Sequence, residues 1–167
     1  MNTDPSSKVF ESEVLIRFSD CDPFNHLNNS RYIDYFINAR EDHLFDHGFN
    51  MYQLAIEKGL GWVVNLNQVA YVKPAYLNER VVIQSTLLQI KEKEVLIECR
   101  MWNKDKTVLK SLLWSHCTHF NLKTQRSEVH SQELNDFFKP YENPLENAMS
   151  FEERLAALRN KTAAEIS

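Results

Sequence analysis

Glycine is scarce in this chain, three residues in 167, and proline is little commoner at five; both counts argue against a long flexible linker or a low-complexity tract. No run approaches the roughly 18 apolar residues that a membrane-crossing helix needs. The start, MNTDPSSKVF, lacks the basic head and apolar core of an export signal. Three cysteines, Cys21, Cys99 and Cys117, are odd in number and not spaced as a zinc cluster, which fits a reducing cytoplasm, with Cys99 and Cys117 as small buried hydrophobes. Basic excess is missing too: a net charge of −4 gives no general attraction to nucleic acid or to an anionic membrane. Neither a G-x-S-x-G elbow, a G-x-G-x-x-G loop nor a P-loop is present, so the enzyme classes built on them lose support.

What is present is a chain of ordinary globular make-up, 43% hydrophobic and 25% charged, long enough for one domain with its own core. Val9 to Phe18 alternates as a strand, and a loop from Ser19 to Asn29 follows. From about Ser30 the apolar residues Tyr32, Ile33, Phe36, Ile37 and Leu44 fall along one side of a helix that Gly48 stops. Met51 to Lys58 reads as a second helix ended by Gly59. The period then turns strand-like over Leu60–Lys73, Arg80–Ile90, Glu94–Trp102 and Thr107–Phe120. The connectors KEKE and NKDK are short and polar, as antiparallel hairpins require, so the sequence predicts a meander and an α+β class with a five-stranded sheet. Beyond it, Ser131–Lys139 reads as a short helix halted by Pro140, and Ser150 with Glu153 forms a capping-box pattern that opens a terminal helix.

The densest chemistry lies in DCDPFNHLNNSRYIDYFINAR, Asp20 to Arg40. It sets carboxylates beside a helix N-terminus, whose unpaired N–H groups and positive dipole end suit an oxyanion. Asp22, just before Pro23, is either a reacting carboxylate or the acceptor of an Asx turn. Asp20 organises the loop or pairs with a cation, and an Asp20/Asp22/His26 metal site would have only three ligands. His26 contacts substrate, positions water or holds the corner by hydrogen bonds, the last being preferred. Asn28 and Asn29 suit the helix entrance. Tyr32 and Phe36 line an acyl pocket or fill the core, and Arg40 interrupts the apolar side, needing an acid or a route to solvent. Trp62, Tyr71, Tyr76 and Trp114 bound a pocket or fill the core. His116 and His119 face opposite ways on a strand, so His116, Cys117 and His119 read as sheet residues rather than a metal or Cys/His site.

The order Asp-x-Asp, HLNN, Tyr32 and Ala39-Arg40, followed by the strands from Gly61 onward, resembles the hotdog-fold acyl-CoA thioesterases of the 4-hydroxybenzoyl-CoA thioesterase type over residues 9 to 140. The resemblance implies a sheet wrapped around a long central helix, with 1–140 as the hotdog thioesterase domain and 141–167 as a C-terminal helical extension of the same single domain. It implies hydrolysis of acyl-CoA, or of acyl carrier protein thioesters, to acid and thiol, with no metal or cofactor beyond the CoA of the substrate. Asp22 takes the place of the essential carboxylate, the backbone amide of Asn29 that of the oxyanion donor, and His26, Asn28 and Tyr32 border the substrate. It implies a homodimer or homotetramer in the cytoplasm. The competing readings are an acyl-thioester binding protein without turnover, which would not need Asp22, and a hydroxyacyl-thioester dehydratase, whose helical His/acid pair has no convincing match among Asp34, Glu41, Asp42 and His43.

Overall fold

The computed structural model describes residues 7–159 and 161–165; the MNTDPSSKVF start and the NKTAAEIS tail therefore lie partly outside the described residues. In chain order the elements are β1 (Val9–Leu15), α1 (Tyr32–Asp46), α2 (Met51–Lys58), β2 (Leu60–Tyr71), β3 (Arg80–Ile90), β4 (Glu94–Asn103), β5 (Leu109–Asn121), β6 (Arg126–Ser127), α3 (Gln132–Phe138) and α4 (Phe151–Leu158). No helix among them is long and apolar enough to cross a membrane.

The sheet is antiparallel with order β1-β3-β4-β5-β2, and the two-residue β6 pairs with β5. The expected meander holds only from β3 to β5. β2 does not continue into β3 but lies at the far edge, with Leu60 opposite Asn121 and Tyr71 opposite Ser111. The connector 72–79 is too long to force a hairpin, and its start is drawn to β5 instead: the N–H groups of Val72 and Lys73 both donate to Lys110 O, at 2.8 and 3.1 Å.

Local signals act where expected. Gly48 (φ 82°) ends α1 and Gly59 (φ 69°) ends α2, both in the left-handed region. The Asn50 side chain accepts from Gln53 N–H at 2.9 Å to start α2. The capping box of α4 is complete: Glu153 N–H donates to Ser150 Oγ (3.1 Å) and Ser150 N–H to Glu153 Oε2 (2.7 Å).

Both faces of the sheet are covered. Inside the curl, Tyr32, Phe36 and Ala39 of α1 pack with Ile83, Ile97, Met101 and Leu113, giving the hotdog arrangement. Outside, Trp102, Leu112 and Trp114 pack with Phe151, Leu158 and Ala163 of the C-terminal segment, so the terminal helix docks on its own sheet. Within that outer layer Glu98, 1% exposed, accepts from Trp114 Nε1 (2.9 Å) and from Arg154 Nε and Nη2 (both 2.9 Å), with Arg100 Nε 3.5 Å away. Burial opposes ionisation of Glu98, but the Arg154 hydrogen bonds and the two guanidinium charges outweigh it and hold the carboxyl below its usual range.

His43 is the one buried imidazole on α1. Nδ1 lies 2.7 Å from Ser85 Oγ and Nε2 3.1 Å from Ser12 Oγ, and burial, aided by the charge of His47 against nearby acids, lowers its pKa from 6.5 to about 4. Below pH 6.5 the unfolded chain takes up a proton that the folded chain refuses until about pH 4. Its contribution is therefore whole above 6.5 and is lost as pH falls, on the order of 3 kcal/mol by pH 4. Urea titrations between pH 7 and pH 4 should give a shallower loss of stability for His43→Gln than for wild type; parallel curves would show that His43 is not the responsible group.

Candidate active site

The segment before α1 is a closed corner. Pro23 fixes the φ of a turn in which Asn25 N–H donates to Asp22 O (3.0 Å), and Asn25 adopts φ 61°, a left-handed conformation that Asn tolerates well. Cys21 pairs with Leu27 across it. Asp22 Oδ1 accepts from Phe24 N–H (2.9 Å) and His26 N–H (3.0 Å), so the Asx turn is present. That turn uses one carboxylate oxygen only. Oδ2 has no hydrogen-bond partner among the described residues, and Asp22 is half-exposed. The turn therefore fixes the carboxylate's direction while leaving a lone-pair-bearing oxygen available.

Asp20 ties the corner to the helix. Its Oδ2 accepts from Tyr35 Oη (2.9 Å), Tyr35 Oη accepts from Arg17 N–H (3.1 Å), and Arg31 Nε lies 3.9 Å from Asp20 Oδ1. The loop-organising and cation-pairing readings both hold for this residue. Tyr35 went unremarked in the sequence; its signal is an aromatic with a polar tip on the buried side of a helix, which needs a partner.

Asn28 rather than Asn29 supplies the side-chain bonds at the helix entrance: its Oδ1 accepts from Ser30 N–H (3.0 Å) and Ser30 Oγ (2.9 Å). Asn29 is exposed; its carbonyl accepts from Tyr71 Oη (3.0 Å), and its N–H has no hydrogen-bond partner among the described residues. Tyr32 is 2% exposed, and its hydroxyl accepts from Ala75 N–H (3.1 Å), so it belongs to the core and steadies the β2–β3 connector rather than presenting a surface to a ligand. His26 holds the corner through its backbone, which accepts from Asp22 N–H (2.8 Å). Its ring makes no hydrogen bond among the described residues and instead stands edge-on to Tyr76, with centroids 5.1 Å apart. Phe24 (77% exposed) and Tyr76 (48%) leave apolar surface beside Asp22.

Two cavities run along α1. The smaller, about 20 Å³, lies between Ile33, Ile37 and Arg40 of the helix and Val64 and Asn67 of β2. The larger, about 60 Å³, is bounded by Arg40, Leu44, Trp62, Val95, Phe137 and Phe138 among others, and Arg40 and Ile97 line both. Trp62 thus bounds a cavity while Trp114 fills the outer layer. Cys117 is 1% exposed in the inner core, and His119 stacks on His130 with Nδ1 donating to Glu128 O (2.9 Å), as sheet residues do. Burial raises the Cys99 thiol to about 12, which makes it inert.

A family model described as the thioesterase-like superfamily matches residues 16–158. Among curated proteins, the long-chain acyl-CoA thioesterase FadM of Escherichia coli (strain K12) is 25% identical over 128 residues, spanning 75% of this chain and 94% of that protein. Among solved structures, the probable thioesterase YbaW of Escherichia coli superposes with a TM-score of 0.69 at 22% identity, covering 80% of this chain and 98% of the other. The protein SAV2348 of Staphylococcus aureus in complex with CoA gives 0.75 at 14% identity, covering 87% and 91%. At these identities the structural likenesses carry the fold.

Tyr35→Phe removes both hydrogen bonds of the Tyr35 hydroxyl, the one to Asp20 and the one from Arg17 N–H. It should cost about 1–2 kcal/mol in urea denaturation and speed hydrogen exchange selectively across residues 19–29. Unchanged exchange there would place the clamp elsewhere.

Proposed function

The chain belongs to the thioesterase-like superfamily, and from that premise we propose that it hydrolyses acyl-CoA, or acyl carrier protein thioesters, to a free acid and a thiol. The observation that carries this reading is Asp22: a carboxylate with one oxygen locked in a turn and the other without a partner among the described residues, seven residues before an N–H at the entrance of α1 that likewise has none among them. In the proposed reaction Asp22 Oδ2 either takes a proton from the attacking water or adds to the thioester carbonyl itself. The Asn29 N–H then donates to the developing oxyanion, a contribution on the order of a few kcal/mol for one well-aimed donor. A thiol with a pKa of about 8.5 leaves without a dedicated acid, so such a sparse site is sufficient. His26 and Asn28 border the reacting group, and Tyr32 acts from beneath through Ala75. No metal or redox group has a part in this scheme. In this reading 1–140 is the hotdog thioesterase domain and 141–167 a C-terminal helical extension of the same single domain.

The proposed assembly is a homodimer, itself able to pair into a tetramer. Supporting it, β2 is a twelve-residue edge strand with Val63, Val64 and Leu66 exposed by 46%, 44% and 50%, a surface that invites pairing with a second copy.

Two measurements test these readings. Thiol release from short, medium, long-chain and aromatic acyl-CoAs should occur with wild type and fall at least about 100-fold in kcat/KM for Asp22→Asn. The amide oxygen of Asn can keep both turn bonds, so the variant isolates the charge from the fold; equal turnover would leave Asp22 a purely structural residue. In sedimentation equilibrium, wild type should be at least dimeric and the Val64→Lys/Leu66→Lys double variant monomeric; a monomeric wild type would rule the β2 interface out.

A further inference from the structure

The sequence offers Tyr71 as a pocket or core residue, and the structure gives it another place. It ends β2 half-exposed, with its hydroxyl donating to Asn29 O at 3.0 Å. Nothing in the reaction above uses it. Its ring stands edge-on to the buried Tyr32, centroids 5.1 Å apart, so the hydroxyl is carried by a side chain braced against the core.

The proposed reaction asks one thing of the turn before α1, a fixed direction for the Asn29 N–H. Burial cannot supply it, because Asn28, Asn29 and Ser30 are all exposed. Hydrogen bonds have to. A trans peptide points its C=O and N–H in opposite directions, so the Asn28–Asn29 peptide, whose carbonyl accepts from Arg31 N–H (2.8 Å), turns the Asn29 N–H outward. The next peptide is held on both sides: Ser30 N–H donates to Asn28 Oδ1 (3.0 Å), and Asn29 O accepts from Tyr71. Asn29 is thus fixed between two pinned peptide planes. The Asn29 N–H is the one group of the two peptides without a partner among the described residues.

Most of the bonds that set this geometry are local. Arg31 N–H to Asn28 O, Ser30 N–H to Asn28 Oδ1 and Asn28 N–H to Asp20 O (2.9 Å) all stay within the segment from Asp20 to Arg31 and would move with it. Tyr71 supplies the bond that comes from the sheet, and it is the only partner of the Asn29 carbonyl among the described residues.

We propose that Tyr71 is a positioning residue for the oxyanion donor: its hydroxyl registers the entrance turn of α1 against β2, so that the Asn29 N–H meets the thioester oxygen as negative charge develops there. This rests on the thioester-hydrolase reading. Tyr71 touches neither the substrate nor the reacting bond and exchanges no proton with them. A donor aimed in advance stabilises the transition state more than the bound substrate. Losing the aim therefore lowers kcat and kcat/KM together and leaves KM nearly unchanged.

Tyr71→Phe keeps the ring on Tyr32 and removes the hydroxyl alone. With the acyl-CoA that wild type cleaves fastest, kcat and kcat/KM should each fall about tenfold or more, as for a reacting group slightly misplaced. KM should move less than about twofold, and sedimentation should show the same assembly as wild type. A second measurement does not depend on how that variant folds. Tyr71→3,5-difluorotyrosine keeps the hydroxyl but makes the phenol more acidic, and once ionised it is an acceptor facing another acceptor, the Asn29 carbonyl. Its kcat should fall, toward that of Tyr71→Phe, across an alkaline interval in which wild type holds constant. Unchanged kcat in Tyr71→Phe, or a loss confined to KM, overturns the inference and leaves the hydrolase reading standing. So does a difluorotyrosine pH profile that matches wild type, whether or not Tyr71→Phe folds. A loss of kcat that goes with a weakened dimer also overturns it, assigning Tyr71 to the β2 interface. No thiol release by wild type from any acyl-CoA defeats the hydrolase reading and this inference with it.

Discussion

A sheet that is apolar on both faces has to be covered twice, and every other feature of this molecule is arranged around that requirement. β3, β4 and β5 are buried along most of their length on alternate and intervening residues alike, as strands buried on both sides are. α1 fills the inner curl; the C-terminal segment, with its own cap and its own aromatic anchor, closes the outer one. The Glu98–Arg154 pair sits in the second layer. Because ionic groups buried this deeply gain little net stability over an apolar filling, the pair is better understood as a positional device. Paired with Glu98 Oε1 and Oε2, Arg154 fixes where along the sheet α4 can lie.

Double covering turns the sheet into a rigid support, and the corner from Cys21 to Asn29 borrows its order from it. Three tyrosine hydroxyls make the transfer: Tyr32 to Ala75, Tyr35 between Asp20 and Arg17, and Tyr71 to Asn29. Each has its ring in or against the core and its oxygen on a backbone or carboxylate partner, so core packing and corner geometry are set together. A loop held this way keeps its exposed groups oriented without burying them, which is how reactive side chains are commonly carried on a scaffold.

Much of this was legible in the sequence. The element types, the ends of α2 and β3, the two hairpins and the capping box follow from local chemistry, since Gly48, Gly59, Asn50 and Ser150 act on their own neighbours. Sheet order was not legible at β2, because what places that strand beside β5 is a long-range ladder running from Leu60 opposite Asn121 to Tyr71 opposite Ser111, which no local pattern records. The Asp22 turn could be read from Asp-Pro, yet the sequence offered it as an alternative to a reactive carboxylate, whereas the geometry accommodates both on different oxygens. Tyr35 escaped notice because its partners lie 15 and 18 residues back. Tyr32 reads equally well as pocket or core until the Ala75 contact decides it.

The same division of labour bears on selectivity. Thioester cleavage asks little of a protein, so under the proposed function a carboxylate and an amide can serve almost any acyl group, and discrimination has to come from the space beyond them. A hydrophobic slot alone distinguishes one methylene by only about 1–3 kcal/mol. A polar group placed within such a slot discriminates far more, because the wrong ligand leaves it without a partner.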